Sequence, residues 1–328
     1  MNYRAFVVNE NDSGSFEAEL KTLHSSDLPA GDVLIRVGYS SLNYKDALSF
    51  SGNKGVTRKF PHTPGIDAAG QVLSSTDVSF KVDEDVLVVG YDLGMNTPGG
   101  FGEIISVPKE WVIRLPKNLS LSESMAWGTA GFTAALCVKK LLQNGLTKEQ
   151  GPVLVSGASG GVGSVATMLL NKLGFEVHAL TSKVEHKAFF NSIGASKVVA
   201  LADFMEQPAR PMLKPIYSSA IDVAGGEVLA TMVKCIKYGG SVACCGLVDS
   251  ISLNTTVLPF ILRGINLLGV DSVELPLSEK QDMWNTVADE WSLPELEGNC
   301  QIIAPDLLDQ SLRLILAGQA KGRFILKH

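Results

Sequence analysis

Residues 153–164 read VLVSGASGGVGS, and the reading of this stretch decides the fold. Three apolar residues, two of them β-branched, make a short buried strand. A glycine run follows, and an apolar helical pattern then extends from Val162 to Leu173 and stops at Gly174. Strand, glycine turn and helix form the context in which a backbone approaches the pyrophosphate of a dinucleotide. Glycines permit the tight turn, and the helix start offers free N–H groups and the positive end of its dipole. The spacing is Ala158-x-Gly160-x-x-Gly163, with alanine in the first glycine slot. A plain tight turn would use the same residues; the flanking strand and helix weigh for a cofactor.

Outward from this stretch, strand and helix alternate. Strands are expected at 153–156, 176–180, 197–201, 220–223, 241–245 and 267–270, and helices after Val162 and over 185–193 and 227–236. Six strands in this rhythm make a doubly wound parallel Rossmann sheet. Before it, short strand-like runs at 5–8, 33–39, 68–73, 85–89 and 103–108 are separated by turn residues and suit a compact β domain. Ser122 is placed to cap a short helix through Met125, and a second helical segment runs from Thr129 into Leu141. After Val273, helices at 279–291 and 307–316 and strands at 301–304 and 323–327 form a tail that packs economically on the amino-terminal β domain.

At 328 residues the chain is long enough for two cores. A net charge of −6 gives no reason to expect a nucleic-acid or anionic-membrane partner. No apolar run approaches a membrane span, and the opening MNYRAFVVNENDSG lacks a leader pattern, so a cytoplasmic enzyme is expected. Cys137, Cys235, Cys244, Cys245 and Cys300 lack disulfide or zinc spacing, and the histidines are scattered. No metal site is expected.

The second strand ends Leu180-Thr181-Ser182-Lys183, where an NAD-binding domain places a carboxylate on the ribose 2′-hydroxyl; Glu185 comes too late. Two hydroxyls and a lysine suit a 2′-phosphate instead, with Lys197 as a second cation, so NADP(H) is expected. The alternative is a polar strand end with a solvated lysine.

Together these features resemble the medium-chain dehydrogenase/reductase superfamily, in its zinc-independent quinone oxidoreductase branch. Within that branch the chain is similar to the bacterial NADPH-dependent acryloyl-CoA reductase family. The residues carrying the resemblance are SSLNYKDAL (40–48), FPHTPGIDAAG (60–70), GTAGFTA (128–134), GASGGVGS (157–164), VACCGL (242–247), PFILRG (259–264) and GVDSV (269–273). The resemblance implies a GroES-like catalytic domain from residues 1–125 and 275–328, with a Rossmann NADP-binding domain over 126–274. Zinc-dependent relatives have a cysteine where this chain has Asn43 and a Gly-His-Glu where it has Gly65-Ile66-Asp67. Their structural zinc needs four cysteines, but no cysteine precedes Cys137. Zinc chemistry is therefore not expected.

By the same resemblance, Ser159, Gly160, Gly161 and Val162 contact the pyrophosphate, and Thr181, Ser182, Lys183 and Lys197 the 2′-phosphate. Lys197 stands where an arginine is common, with a weaker grip on phosphate. Leu247, Ile261 and Ser272 meet the nicotinamide half. Tyr44 borders the nicotinamide, either as a hydrogen-bond or proton donor or as an aromatic wall, and Asn43 is a candidate to position the substrate carbonyl. Arg323 either approaches the cofactor or is a surface strand charge, and Asp67 is a candidate turn cap.

The implied reaction is hydride transfer from NADPH to the β-carbon of acryloyl-CoA, giving propanoyl-CoA without a metal. Lys54, Arg58 and Lys59 form a basic loop in an acidic protein and are candidates for the CoA phosphates; the alternative is a solvated face. A quinone or general enone oxidoreductase would ignore that loop. A third alternative is an NADPH-binding structural or RNA-binding protein, against which the acidic balance argues. Dimers are common in the branch, and the strand at 266–270 is a candidate interface.

Overall fold

The computed structural model describes residues 1–207 and 209–328. It divides into two compact units: Met1–Thr129 with Ser272–His328, and Ala130–Asp271. These boundaries fall four residues after and three before the expected 125 and 274. Local structure gives the reason. Gly128 interrupts the helix at the first crossing, and Val273 is hydrogen-bonded into the first unit at the second.

The first unit opens with an antiparallel pair, β1 (Asn2–Glu10) and β2 (Phe16–His24). It continues with β3 (Val33–Ser41), α1 (Tyr44–Phe50), β4 (Asp67–Ser75), β5 (Asp85–Val89), β6 (Ile104–Val107) and β7 (Ile113–Arg114). Helix α2 (Leu121–Gln143) leads out of it. The second unit alternates β8 (Val153–Val155), α3 (Gly161–Lys172), β9 (Val177–Thr181), α4 (Lys187–Ser192), β10 (Lys197–Ala200) and α5 (Leu201–Met205). It ends with β11 (Tyr217–Asp222), α6 (Gly226–Lys234), β12 (Ile236–Cys244), α7 (Leu258–Arg263) and β13 (Asn266–Gly269). The chain then returns to the first unit with α8 (Leu277–Ala288), β14 (Cys300–Ile303), α9 (Leu308–Leu316) and β15 (Arg323–Lys327).

The second unit is built on a six-stranded sheet in the order β10-β9-β8-β11-β12-β13, with every pair parallel. This is the expected doubly wound sheet, and the chain order reverses between β8 and β11, where such sheets take their ligands. Leu154, Leu180, Ala220, Val228, Met232 and Val242 are buried in its core. In the first unit the sheet order is β14-β15-β3-β4-β5-β7, with β6 also paired to β3. The returning tail therefore does join the amino-terminal β structure. A second core, formed by Ala47, Phe50, Leu308, Leu312, Phe324 and Leu326, fixes α1 against α9 and β15. Seven residues are too few for a helix to hold alone, so this packing gives α1 its shape.

Five elements were not expected. Strand β2 carries alternate exposed charges and, among the described residues, pairs only with β1; β7 is two residues long, and α1, α5 and α7 are shorter than the span over which periodicity is readable. The cap of α2 also differs. Ser120, not Ser122, makes the reciprocal cap: the Glu123 amide donates to Ser120 Oγ at 3.1 Å and the Ser120 amide to Glu123 Oε2 at 2.8 Å. Ser122 donates instead to Glu297.

Candidate active site

In the second unit the glycine turn links β8 to α3. The Gly160 amide donates to Gly157 O at 2.9 Å, closing the turn. A Cβ on Gly163 would lie within 2.8 Å of Ala158 Cα, so only glycine lets the helix approach the strand this closely. Helix α3 has no side-chain cap, which leaves its first-turn N–H groups to an outside acceptor. Gly160, Gly161 and Val162 are partly exposed there, whereas Ser159 and Ala158 are buried. An uncapped helix start behind a glycine turn fits a pyrophosphate.

Beside it, at the carboxyl end of β11, lies a residue the sequence reading missed. Asp222 is fully buried and accepts hydrogen bonds from Ser156 Oγ (2.9 Å) and from the Ala224 (3.2 Å) and Gly225 (2.8 Å) amides. Burial pushes its carboxyl above the usual range. It braces the β8 and β11 ends against each other at the reversal point. Its signal was an aspartate ending an apolar strand just before Gly225-Gly226.

At the end of β9, Thr181 is buried and its Oγ1 accepts the Lys183 amide at 3.0 Å, so this hydroxyl shapes the bend. Ser182 is exposed and Lys183 half-buried, with burial lowering the Lys183 ammonium pKa. No carboxylate occupies Thr181 to Lys183. Lys197 does not join them, which corrects the expectation of a second cation. It pairs in register with His178, while Ala200 pairs with Thr181. Three residues of strand, about 10 Å, therefore separate Lys197 from the Thr181 level, at the opposite end of a parallel sheet. Leu247 (59% exposed) and Ile261 (68%) present bare apolar side chains to solvent, and Ser272 is half-buried.

In the first unit, Tyr44 is the first residue of α1 and is 37% exposed. Beneath it lies a buried polar cluster. Asn43 Nδ2 donates to Asp67 Oδ2 at 2.8 Å and to Asp46 Oδ2 at 3.2 Å, and its Oδ1 accepts from Arg323 at 3.3 Å. With both donors and its acceptor engaged inward, the Asn43 amide orients the helix start and does not face a substrate carbonyl, a correction to its expected role. Asp67 also accepts from Ser41 Oγ and from the Thr129 amide (2.8 Å) and hydroxyl, so it is the hub of the cluster and not a turn cap. Asp46 accepts from the amides of Asn43 (2.8 Å), Gly65 (3.1 Å) and Ile66 (2.8 Å). Burial, with the Asp67 charge adding to it, pushes its pKa to about 7. Arg323 is 3% exposed and donates to Ala126 O at 3.1 Å, so it is no surface charge. A Cβ on Gly128 would fall on Ser41, Arg323 and Asp67, and the residue's φ of 47° is itself glycine-like.

The basic loop is partly spent. Lys54 is paired with Glu10 at 2.5 Å and lies over the Phe60 ring, 4.8 Å from its centroid. Arg58 and Lys59 are exposed.

The profile of the alcohol dehydrogenase GroES-like domain matches residues 29–117, and that of the zinc-binding dehydrogenases matches residues 161–290. The acrylyl-CoA reductase AcuI of Ruegeria pomeroyi is 42% identical over 328 residues, 99% of this chain and 98% of that one. The putative quinone oxidoreductase YhfP of Bacillus subtilis is 40% identical over 97% of both chains. Its crystal structure with NAD bound superposes with a TM-score of 0.96 over the whole of both chains. The yhdH oxidoreductase of Salmonella enterica in complex with NADP gives the same score at 39% identity, again over the whole of both chains. The residues of this chain do not fit a zinc ion. The lone pairs of Asp67 and Asp46 are taken by N–H and O–H donors, and a guanidinium closes the cluster. Among the described residues no three His, Cys, Asp or Glu side chains come together as a metal site.

Proposed function

We propose that this chain, which belongs to the zinc-independent quinone oxidoreductase branch of the medium-chain dehydrogenase/reductase superfamily, uses NADPH to reduce the conjugated C=C bond of acryloyl-CoA to propanoyl-CoA. One observation carries the cofactor half of the reading: an uncapped helix start behind the glycine turn, with a β9 end that offers hydroxyls and a lysine but no carboxylate. The bound nicotinamide supplies the hydride.

The chain's own residues would then act as follows. The α3 start holds the pyrophosphate, and Ser182 and Lys183 hold the 2′-phosphate. Leu247 and Ile261 give the nicotinamide half an apolar surface that excludes water. Tyr44, set at its angle by the buried Asn43–Asp46–Asp67–Arg323 cluster, presents its phenol to the substrate carbonyl and hydrogen-bonds the oxygen that gains charge. Arg58 and Lys59 take the CoA phosphates. Pairing of two subunits along β13 and a cytoplasmic location, suited to five free thiols, complete the proposal.

A quinone reductase is the second reading. The pairing of Lys54 with Glu10 favours it, because it removes one of the three cations from the loop. NADPH oxidation at 340 nm with acryloyl-CoA and with a benzoquinone separates the two, with NADH as the cofactor control. The expected result is a kcat/KM of roughly 10⁴ M⁻¹s⁻¹ or more for acryloyl-CoA and far less for the quinone. Charge reversal in Arg58→Glu/Lys59→Glu should raise KM for the thioester alone. Turnover of only the quinone would overturn the substrate assignment, and equal use of NADH would overturn the reading of the β9 end.

A further inference from the structure

Lys280, in the second turn of α8, is fully buried. An ammonium taken out of water is costly unless every donor finds a partner. Its Nζ donates to Val89 O and to Val273 O, both at 2.8 Å, and lies 3.4 Å from the centroid of the Tyr91 ring. Tyr91 is stacked on Trp111, with ring centroids 5.7 Å apart and planes 12° from parallel. Its amide donates to Val273 O at 3.2 Å and its hydroxyl to Leu275 O at 3.2 Å. Tyr91 also holds a φ of 53°, uncommon for a residue with a side chain. At Gly90 a Cβ would stand 3.0 Å from Val273 Cα and 3.2 Å from Lys280 Nζ, so the approach is tight on all sides.

One cation, one strained tyrosine and one glycine thus converge on the backbone of Val273 and Leu275. Val273 directly follows Ser272, at the point where the chain re-enters the first unit. A core could be filled there by an apolar side chain at lower desolvation cost. What the ammonium adds is fixed geometry at two carbonyl oxygens.

We propose that Lys280 and Tyr91 are positioning residues for the nicotinamide half of the cofactor. They clasp the Val273–Leu275 backbone and thereby set where Ser272 stands. The proposal rests on the reading that Ser272 meets that half of the cofactor, and it gives the buried lysine a role in binding.

The test compares two ligands by fluorescence titration, NADPH and 2′,5′-ADP, the second of which lacks the nicotinamide half. In Lys280→Met the Kd for NADPH should rise about tenfold, the scale of one well-placed hydrogen bond, while that for 2′,5′-ADP stays within about twofold. Tyr91→Phe, which keeps the ring and loses only the bond to Leu275, should shift NADPH in the same direction by about two- to threefold and so decides the matter if Lys280→Met does not fold. Unchanged NADPH binding in both folded variants would overturn the proposal and leave the clasp a structural element. Equal weakening of both ligands would overturn it as well, since it would mean general loosening. If the unsubstituted protein binds 2′,5′-ADP as tightly as NADPH, the Ser272 reading itself is at fault and not the clasp.

Discussion

Asp46 is a carboxylic acid in a place where its charge is unwelcome. Burial and the neighbouring Asp67 raise its pKa from 3.8 to about 7, against hydrogen bonds from the Ile66 and Asn43 amides and the Asn43 side chain that pull it down. A raised acid pKa means that the folded chain keeps a proton the unfolded chain has already lost. Its favourable contribution is complete below 3.8 and disappears as pH rises through about 7. Asp46→Asn keeps an acceptor for the amides and cannot ionise. The melting temperature of the unsubstituted protein, measured relative to this variant, should therefore fall between pH 4.5 and 7.5, with about 2–4 °C for each kcal/mol at this size. A difference independent of pH would show that Asp46 does not titrate in that window.

Strand β13 ends the parallel sheet and, among the described residues, pairs on one side only, with β12. Leu267 on it is 37% exposed, and Ile251, Val257 and Leu262 in the preceding segment are between 58% and 87% exposed. An unpaired edge with bare apolar neighbours invites a second copy. Leu267→Lys places a charge on that edge and should turn a dimer into a monomer in sedimentation velocity, with little change in the melting of the single chain. A monomeric unsubstituted protein would remove the premise.

At this same scale the sequence was readable where elements were long or wholly buried. The inner strands β8, β9 and β11 of the α/β unit are wholly buried and stand where strands were expected, and in the other unit β5 and β15 match their expected limits. Strand β2 was not readable because both its faces meet water along much of its length. Lys197 was legible as a strand start, but which end of a parallel strand faces the ligand depends on direction, which its residue type does not carry. Asn43 was expected to face a substrate carbonyl, whereas its amide is bonded inward. Its bonds run to Asp67 and Arg323, 24 and 280 residues away, and no local pattern encodes contacts at such separations.

For the whole molecule the two units differ in how they are assembled. The α/β unit is one continuous stretch, Ala130–Asp271, whereas the other is closed by a strand from the far end of the chain. Strand β15 pairs with β3 through Tyr39 to Ser41 and supplies Arg323 to the polar cluster. A chain ending at Gly322 should lose the first unit and keep the second. Limited proteolysis would then cut throughout residues 1–129 and spare 130–271, while 2′,5′-ADP binding survives; protection of both stretches would contradict this.

The late arrival of β15 also sets an order of events on the ribosome. Residues 130–271 emerge together and can fold while the tail is still being made. Tyr39 to Ser41, and with them the start of α1 that bears Tyr44, must wait for residue 323, which is 194 residues behind residue 129. At 5–20 residues per second that is about 10–40 s of synthesis. For that interval the nascent chain can complete the parallel sheet with its glycine turn while the start of α1 has no shape. In every copy the amino-terminal strands are the first made and the last to be completed.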